Sequence, residues 1–349
     1  MNAQQAPKVT RETKNKIRVD FERTPLLQRL KAKYLSTYFL TNVVWTVFRF
    51  ILLIGIAYVI LYPFFSKISG SFMSKEDFVD VTVKLIPKYP TLDTYAQIIS
   101  KNGYFTAVFN TALLSVLCGI SQTFICCLIG YGVSKFKFKG SKLLFALVIF
   151  TMIVPHKTLQ LSMFMHFRYF DILGIFNFLG GGVFEGFKIL PFTSINLTNS
   201  FWPLTLLSLG GLAFKNGLYI FMMRQFFRGV PDELEESAYI DGSGVFRTFV
   251  QIILPLSIPM MITIFLFSFS WQWTDNFYTT MFFTGTGAKL MPSIVKIPKG
   301  MDTVYAGEAL YESAITNTCG LLIIAPLVIV YLFCQKYLIQ GIERSGIVG

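Results

Sequence analysis

Six apolar runs, each close to the roughly 20 residues that a helix needs to cross the hydrocarbon core of a bilayer, constrain this chain more than any other feature. They lie at 46–65, 107–131, 142–164, 203–223, 252–274 and 318–338. Runs of this length read as membrane helices, not as the shorter alternating strands of a barrel, because a helix satisfies every backbone hydrogen bond within itself. The expected fold class is an all-α membrane protein with six transmembrane helices. Pro155 and Pro326 fall inside the third and sixth runs and predict kinks there, since proline lacks an amide donor and crowds the carbonyl four residues earlier.

Hydrophobic residues make up 53% of the 349 residues and charged ones 14%, with a mean hydropathy of +0.56, so length here counts crossings and not soluble domains. A net charge of +12 would suit nucleic acid in a soluble chain. Here Lys and Arg sit between the apolar runs, where anionic lipid headgroups account for them, and no nucleic-acid partner is expected. They favour segments 1–45, 132–141 with Lys142 at its edge, 224–251 and the C-terminus, which by the positive-inside bias are cytoplasmic together with both termini. Lys135, Lys137, Lys139 and Lys142 form the densest short cluster and read as a lipid-contacting turn. Residues 1–45 read as a basic disordered tail running into a membrane-surface segment, with no cleaved signal peptide expected. The apolar region spans 46–338, and 339–349 form a C-terminal tail.

Several chemistries are missing. No G-x-x-x-x-G-K-[ST] loop is present, and Gly285-Thr286-Gly287-Ala288-Lys289 lacks its spacing, so any ATP and its magnesium would be held by another chain. Cys118, Cys126, Cys127, Cys319 and Cys334 lie in apolar stretches without C-x-x-C spacing, and His156 and His166 stand ten residues apart, so neither a disulfide framework nor a metal site is expected. The six runs hold no Asp or Glu, which argues against a proton-coupled carrier built on a titrating carboxylate. An ion-coupled carrier using backbone carbonyls, and a non-transporting scaffold, stay as alternatives.

The loop 228–255 is the most structured polar segment. Pro231 suits the first position of a helix whose Asp232, Glu233, Glu235 and Glu236 complement the positive end of its dipole. Gly242 is placed to stop that helix in a left-handed cap, Ser243 to cap the next helix, Val245 to Leu254, and Pro255 to end it. Leu234 and Ala238, with Tyr239 beside them, would form a small apolar knob on an acidic stalk. Capping and amphipathicity alone are equally consistent with a pair of helices that only returns the chain to the membrane.

Glu236-Ser-Ala238, three residues, Gly242, nine residues and Ile252-x-Leu254-Pro255 resemble the E-A-A-x3-G-x9-I-x-L-P loop of ATP-binding-cassette importer permeases, with Ser237 in place of an alanine. The resemblance covers about residues 46–349. It is nearest to the carbohydrate branch, of the smaller-permease type found in the maltose importer, through Asn110-Thr-Ala, Gly130 to Gly140, Met223 to Arg228, Trp273-Thr-Asp-Asn276 and Tyr337 to Gly349. It implies a type I importer permease fold and a non-catalytic subunit in a bacterial cell membrane. Its partners would be a homologous sister permease, two ATPase subunits, an extracytoplasmic solute-binding protein and a sugar, with another solute such as a peptide or a modified sugar acid as the alternative. The resemblance assigns Asp232, Glu233, Leu234, Glu236, Ala238, Tyr239, Asp241 and Gly242 to coupling with the ATPase, and Gly341, Gly346 and Gly349 to a tail reaching between the ATPases. From their chemistry, Trp271, Gln272, Trp273 and Asn276 offer ring faces and amides to a sugar, although interfacial anchoring explains the tryptophans equally well. The basic N-terminal tail and an enlarged loop at 174–200 depart from the family pattern.

Overall fold

The computed structural model describes residues 9–13, 16–19, 37–182, 189–284, 288–301, 303–304 and 307–346. The chain divides into two compact units, residues 1–66 and 67–349.

The first unit begins with an antiparallel pair, β1 (Val9–Thr13) and β2 (Lys16–Val19), in which Val9 faces Val19 and Thr13 faces Lys16. This corrects two expectations, the disordered tail and the all-α class. Val9, Thr10, Thr13, Ile17 and Val19 are β-branched and favour a pleated backbone, a local preference that the surrounding basic charge conceals. The helix α1 (Thr37–Gly70) starts well ahead of residue 46. Trp45, Phe48, Phe50, Ile51 and Val59 are all exposed around it, the pattern of a helix solvated by lipid.

In the second unit, three elements precede the bend: α2 (Lys75–Val79), α3 (Asp93–Lys101) and α4 (Tyr104–Lys135). Next come α5 (Ser141–Ile153), a 3-10 turn (His156–Leu159), α6 (Gln160–Arg168) and α7 (Ile175–Leu179). Then follow α8 (Trp202–Leu209), α9 (Asn216–Arg228), α10 (Glu233–Ile240) and α11 (Val245–Thr248). A π-helical turn (Phe249–Ile253) leads into α12 (Leu254–Thr274), then α13 (Phe277–Phe282), a 3-10 turn (Met291–Ile294) and α14 (Glu308–Gly346).

Among the described residues, four helical stretches are long and apolar enough to cross a membrane: Thr41–Gly70, Tyr104–Lys135, Val245–Thr274 and Glu308–Tyr337. The pair α5 and α6 makes a fifth if its 91° bend counts as one span. The expectation of six continuous spans therefore fails at two places. Pro155 breaks the third run instead of kinking it, with Val154 held extended ahead of the proline ring. The fourth run is cut between α8 and α9. There the amide of Gly211 reaches Ser208 O at 3.3 Å and that of Leu212 reaches Leu207 O at 2.9 Å, a complete Schellman stop with Gly211 at φ 71°. Hydropathy averaged over a window is blind to such a stop because two uncharged glycines among leucines lower the mean only slightly.

Pro326 behaves differently, since α14 runs through it. The carbonyl that this proline leaves unpaired, Leu322 O, accepts from the Tyr104 hydroxyl at 3.1 Å, and the neighbouring Ile323 O accepts from Trp273 Nε1 at 2.9 Å. Pro255 does not end its helix either. The wider π turn just before it gives the ring room against the carbonyl of Gln251, and helix continues from Val245 to Thr274.

The helix α4 is the hub, packed along its 32 residues, about 48 Å, by α12, α9 and α8. Close approach depends on Gly130, where a Cβ would stand 2.6 Å from Met223 Cβ. Buried free cysteines 118, 126, 127 and 319 pack in this core, as small apolar residues do. Gln122 Nε2 donates to Ser208 Oγ at 3.2 Å and ties α4 to the end of α8.

Candidate functional site

Two regions gather the residues singled out above. The first is the α9–α12 connection. The helix α10 ends as expected. The amide of Gly242, at φ 81°, bonds Tyr239 O at 3.0 Å and that of Ser243 bonds Ala238 O at 2.9 Å, again a Schellman stop. Three local expectations shift. Pro231 lies before the N-cap Asp232 and not inside the helix, and Gly244 occupies the N-cap of α11 where Ser243 was expected. Ala238 is buried and belongs to the inward stripe with Glu235, three residues earlier, so it cannot be part of an exposed knob. The exposed apolar residues are Leu234, Tyr239, Ile240 and, beyond the stop, Val245 and Phe246, with Ile240 86% and Phe246 80% exposed. Glu233, Glu236 and Asp241 are exposed.

Lys135 fastens this connection to α4. Its side chain is only 7% exposed and donates to Val230 O at 2.7 Å and to Asp232 Oδ1 at 2.6 Å, with Glu235 Oε1 at 3.6 Å. The last distance is an ion pair beyond hydrogen-bond reach, and Glu235 Oε1 has no hydrogen-bond partner. The Lys135 hydrogen bond holds the Asp232 carboxyl below the ordinary range, while burial pushes that of Glu235 up against the pull of Lys135. Lys135 is therefore not a lipid contact. An apolar helix that ends on a basic residue, facing an acidic loop later in the chain, was the signal available in the sequence.

The second region surrounds the two helix breaks. A cavity of about 530 Å³ is lined by residues of the α5–α6 bend, including Val154, His156 and Met163, and by Leu207 and Gly211 to Lys215 beside the α8–α9 break. His156 Nδ1 and the Tyr278 hydroxyl lie 2.9 Å apart, which joins the bend to α13. Of the four residues expected to face a solute, Trp271 lines a narrow cleft beside Phe214. It is 49% exposed and packs edge-on to Phe214 with ring centroids 5.6 Å apart. Gln272 lines a narrow cleft with Trp271, Phe214 and Tyr278, and its Nε2 is buried without a hydrogen-bond partner. Asn276 is exposed at the N-cap of α13 and lines a separate cavity with Lys289 and Lys296.

Trp273 is the correction here. It is 2% exposed and its Nε1 serves α14, so it supports that helix beside Pro326 and lines none of these cavities. It follows Trp271 by two positions, which on a helix turns it about 200° away. Sequence reasoning missed Phe214, Tyr278 and Asp275; the last caps α13 by accepting from the amides of Tyr278 and Thr279 at 3.4 and 3.0 Å. Gly341 and Gly346 continue α14, so residues 339–346 of the expected tail are helical, and Gly349 lies outside the described residues.

Long lipid-compatible helices, a sharply bent pair and a cavity opened by two helix breaks define a multi-pass membrane transport subunit. Residues 122–344 match the family described as the binding-protein-dependent transport system inner membrane component, and the chain belongs to that family. It is 27% identical over 306 residues to the polygalacturonan/rhamnogalacturonan transport system permease protein of Bacillus subtilis (strain 168), covering 85% of this chain and 96% of the relative. The galactooligosaccharides transport system permease protein of the same organism is 26% identical, over 86% of this chain and 95% of that one. Among solved structures, a bacterial ABC transporter involved in the import of the acidic polysaccharide alginate has a chain of like fold. That match has a TM-score of 0.61 at 20% identity, over 85% of this chain and 97% of that one.

Proposed function

We propose that this chain is one of two homologous permeases in an ATP-driven importer of oligosaccharides, with both its termini in the cytoplasm. The relatives' names support a carbohydrate solute. ATP and magnesium belong to two partner ATPase subunits, and a binding protein delivers the solute from outside. The segments α8 and α9 together supply the sixth crossing, interrupted at Gly210 to Lys215.

One observation carries the mechanism: α10 is a capped helix outside the apolar helices, tied to the end of α4 by Lys135 and joined by the Gly242 turn to α11, from which helix runs on through the π turn into the α12 span. An ATPase pressing on Leu234, Glu236, Tyr239 and the Gly242 turn would move α4 and α12 together, turning ATP-driven closure into alternating access. Ala238 and Asp232 hold α10 in place, while Glu233 and Asp241 lie on its exposed surface. Helical residues 341 and 346 extend toward the same ATPases.

The test is copurification with the neighbouring transport components, followed by uptake of a sugar panel into vesicles. Recruitment of an ATPase and ATP-dependent sugar uptake are expected. A chain that recruits no ATPase, or that moves solute on an ion gradient alone, overturns the reading.

A further inference from the structure

The cavity at the two helix breaks carries a charge that the sequence did not assign to function. Lys215 lies between α8 and α9 at φ 71°, a left-handed backbone that a side chain bearing a Cβ rarely adopts. Held there, its Nζ sits 4.6 Å from the centre of the Phe214 ring and 4.9 Å from that of Trp271. No carboxylate lies within 4.0 Å of Nζ among the described residues, and none lines the 530 Å³ cavity. Asp275, the nearby acid of the narrow cleft, is occupied in capping α13.

The pattern extends past one residue. Lys157 lines a second cavity with Thr280, and Lys289 and Lys296 line a third with Asn276 and Thr280. Neither lining contains an Asp or Glu. Lys135 and Lys88, by contrast, have acidic partners, Asp232 and, at 3.2 Å, Asp80. The ammonium groups of Lys157, Lys289 and Lys296, whose cavities both include Thr280 of α13, raise the local concentration of an anion, and cavity walls of low dielectric strengthen the field.

We propose that the solute carried by this permease is an acidic oligosaccharide, whose uronate carboxylate is received by Lys215 while a sugar ring lies against the exposed face of Trp271. This rests on the oligosaccharide-importer reading and deepens it. A carboxylate supplies the counter-charge that the cavity lacks, and the aromatic pair beside Lys215 offers apolar faces to the C–H side of a pyranose. Lys157, Lys289 and Lys296 keep the way to that position attractive to the same charge.

The complete importer with its binding protein, in proteoliposomes, is assayed for uptake of trigalacturonic acid and of its fully methyl-esterified form, which keeps length and rings but loses the charge. Faster uptake of the acid is expected. Lys215→Met lowers acid uptake roughly tenfold or more, the size expected for one charge-assisted contact, and lowers ester uptake by less, so that the preference for acid over ester shrinks. Lys215→Arg retains most of the acid uptake. Ester uptake equal to or above acid uptake in the unaltered importer overturns the inference while leaving the oligosaccharide reading intact. So does Lys215→Met with undiminished acid uptake. Should Lys215→Met and Lys215→Arg both fail to assemble, the preference of the unaltered importer for acid over ester decides alone. An importer that takes up neither sugar, nor any neutral oligosaccharide, with ATP removes the underlying reading instead.

Discussion

The α9–α12 connection and the cavity at the two helix breaks use the same stop in opposite ways. Gly242 and Gly211 both sit left-handed, at φ 81° and 71°, in complete Schellman motifs. In the connection around Gly242, Lys135 meets Val230, Asp232 and Glu235 while Glu233, Glu236 and Asp241 stay exposed, and helix resumes at Val245 without interruption to Thr274. Around Gly211 the chain stays open for several residues, Lys215 is strained and lacks an acid, and a cavity fills the space. The first arrangement has few soft joints, which is what the proposed transmission of displacement requires. The second leaves volume and a cation without an acid, which is what the proposed ligand requires.

Substitutions at each region break or sharpen that contrast. The largest effect is expected for Gly242→Val. A β-branched side chain in the left-handed region costs about 1–2 kcal/mol and unseats the stop, so ATP-driven uptake falls roughly tenfold or more while membrane insertion persists. Uptake and ATPase rates measured side by side check it, and normal coupled uptake would show that the stop is dispensable. Lys135→Met comes next. It strands the half-buried Glu235 carboxylate and is expected to destabilise the connection by about 3 kcal/mol, the lower end for breaking a buried pair. Glu235→Gln in the same chain restores part of this, and thermal unfolding of the four members of that cycle measures the coupling.

The two tryptophans separate the regions at smaller cost. Trp273→Phe loses the bond to Ile323 O and lowers stability by about 1 kcal/mol with solute affinity unchanged. Trp271→Phe is expected to do the reverse, weakening solute-stimulated ATPase activity at constant melting temperature. If both changed stability alone, Trp271 would be a packing residue. Asp232→Asn gives the smallest change, because its side chain is 78% exposed and its pair with Lys135 is screened. The folded-state carboxyl of Asp232 lies below its ordinary value, so its contribution is full above that value and fades as pH falls through the lowered one. Melting curves of the unaltered chain and Asp232→Asn should therefore converge on acidification.

The sequence by itself determined the membrane class, the approximate place of most apolar helices, the Gly242 stop and the E-A-A-type spacing. Each depends on short-range rules: length against bilayer thickness, left-handed geometry that favours glycine, and dipole charge at a helix start. The tail strands and the Gly210-Gly211 break obey local rules too. They were hidden because charge and hydropathy, averaged over a window, outweigh a few β-branched residues or a pair of glycines. Tertiary structure alone decided that Lys135 faces Asp232, 97 residues away, that Trp273 serves α14 while Trp271 lines the narrow cleft with Phe214, and that Tyr104 takes the carbonyl freed at Pro326. Those contacts join segments far apart in the chain. Which partner a buried polar group finds is fixed by the packing of whole helices, a quantity that no window of sequence contains.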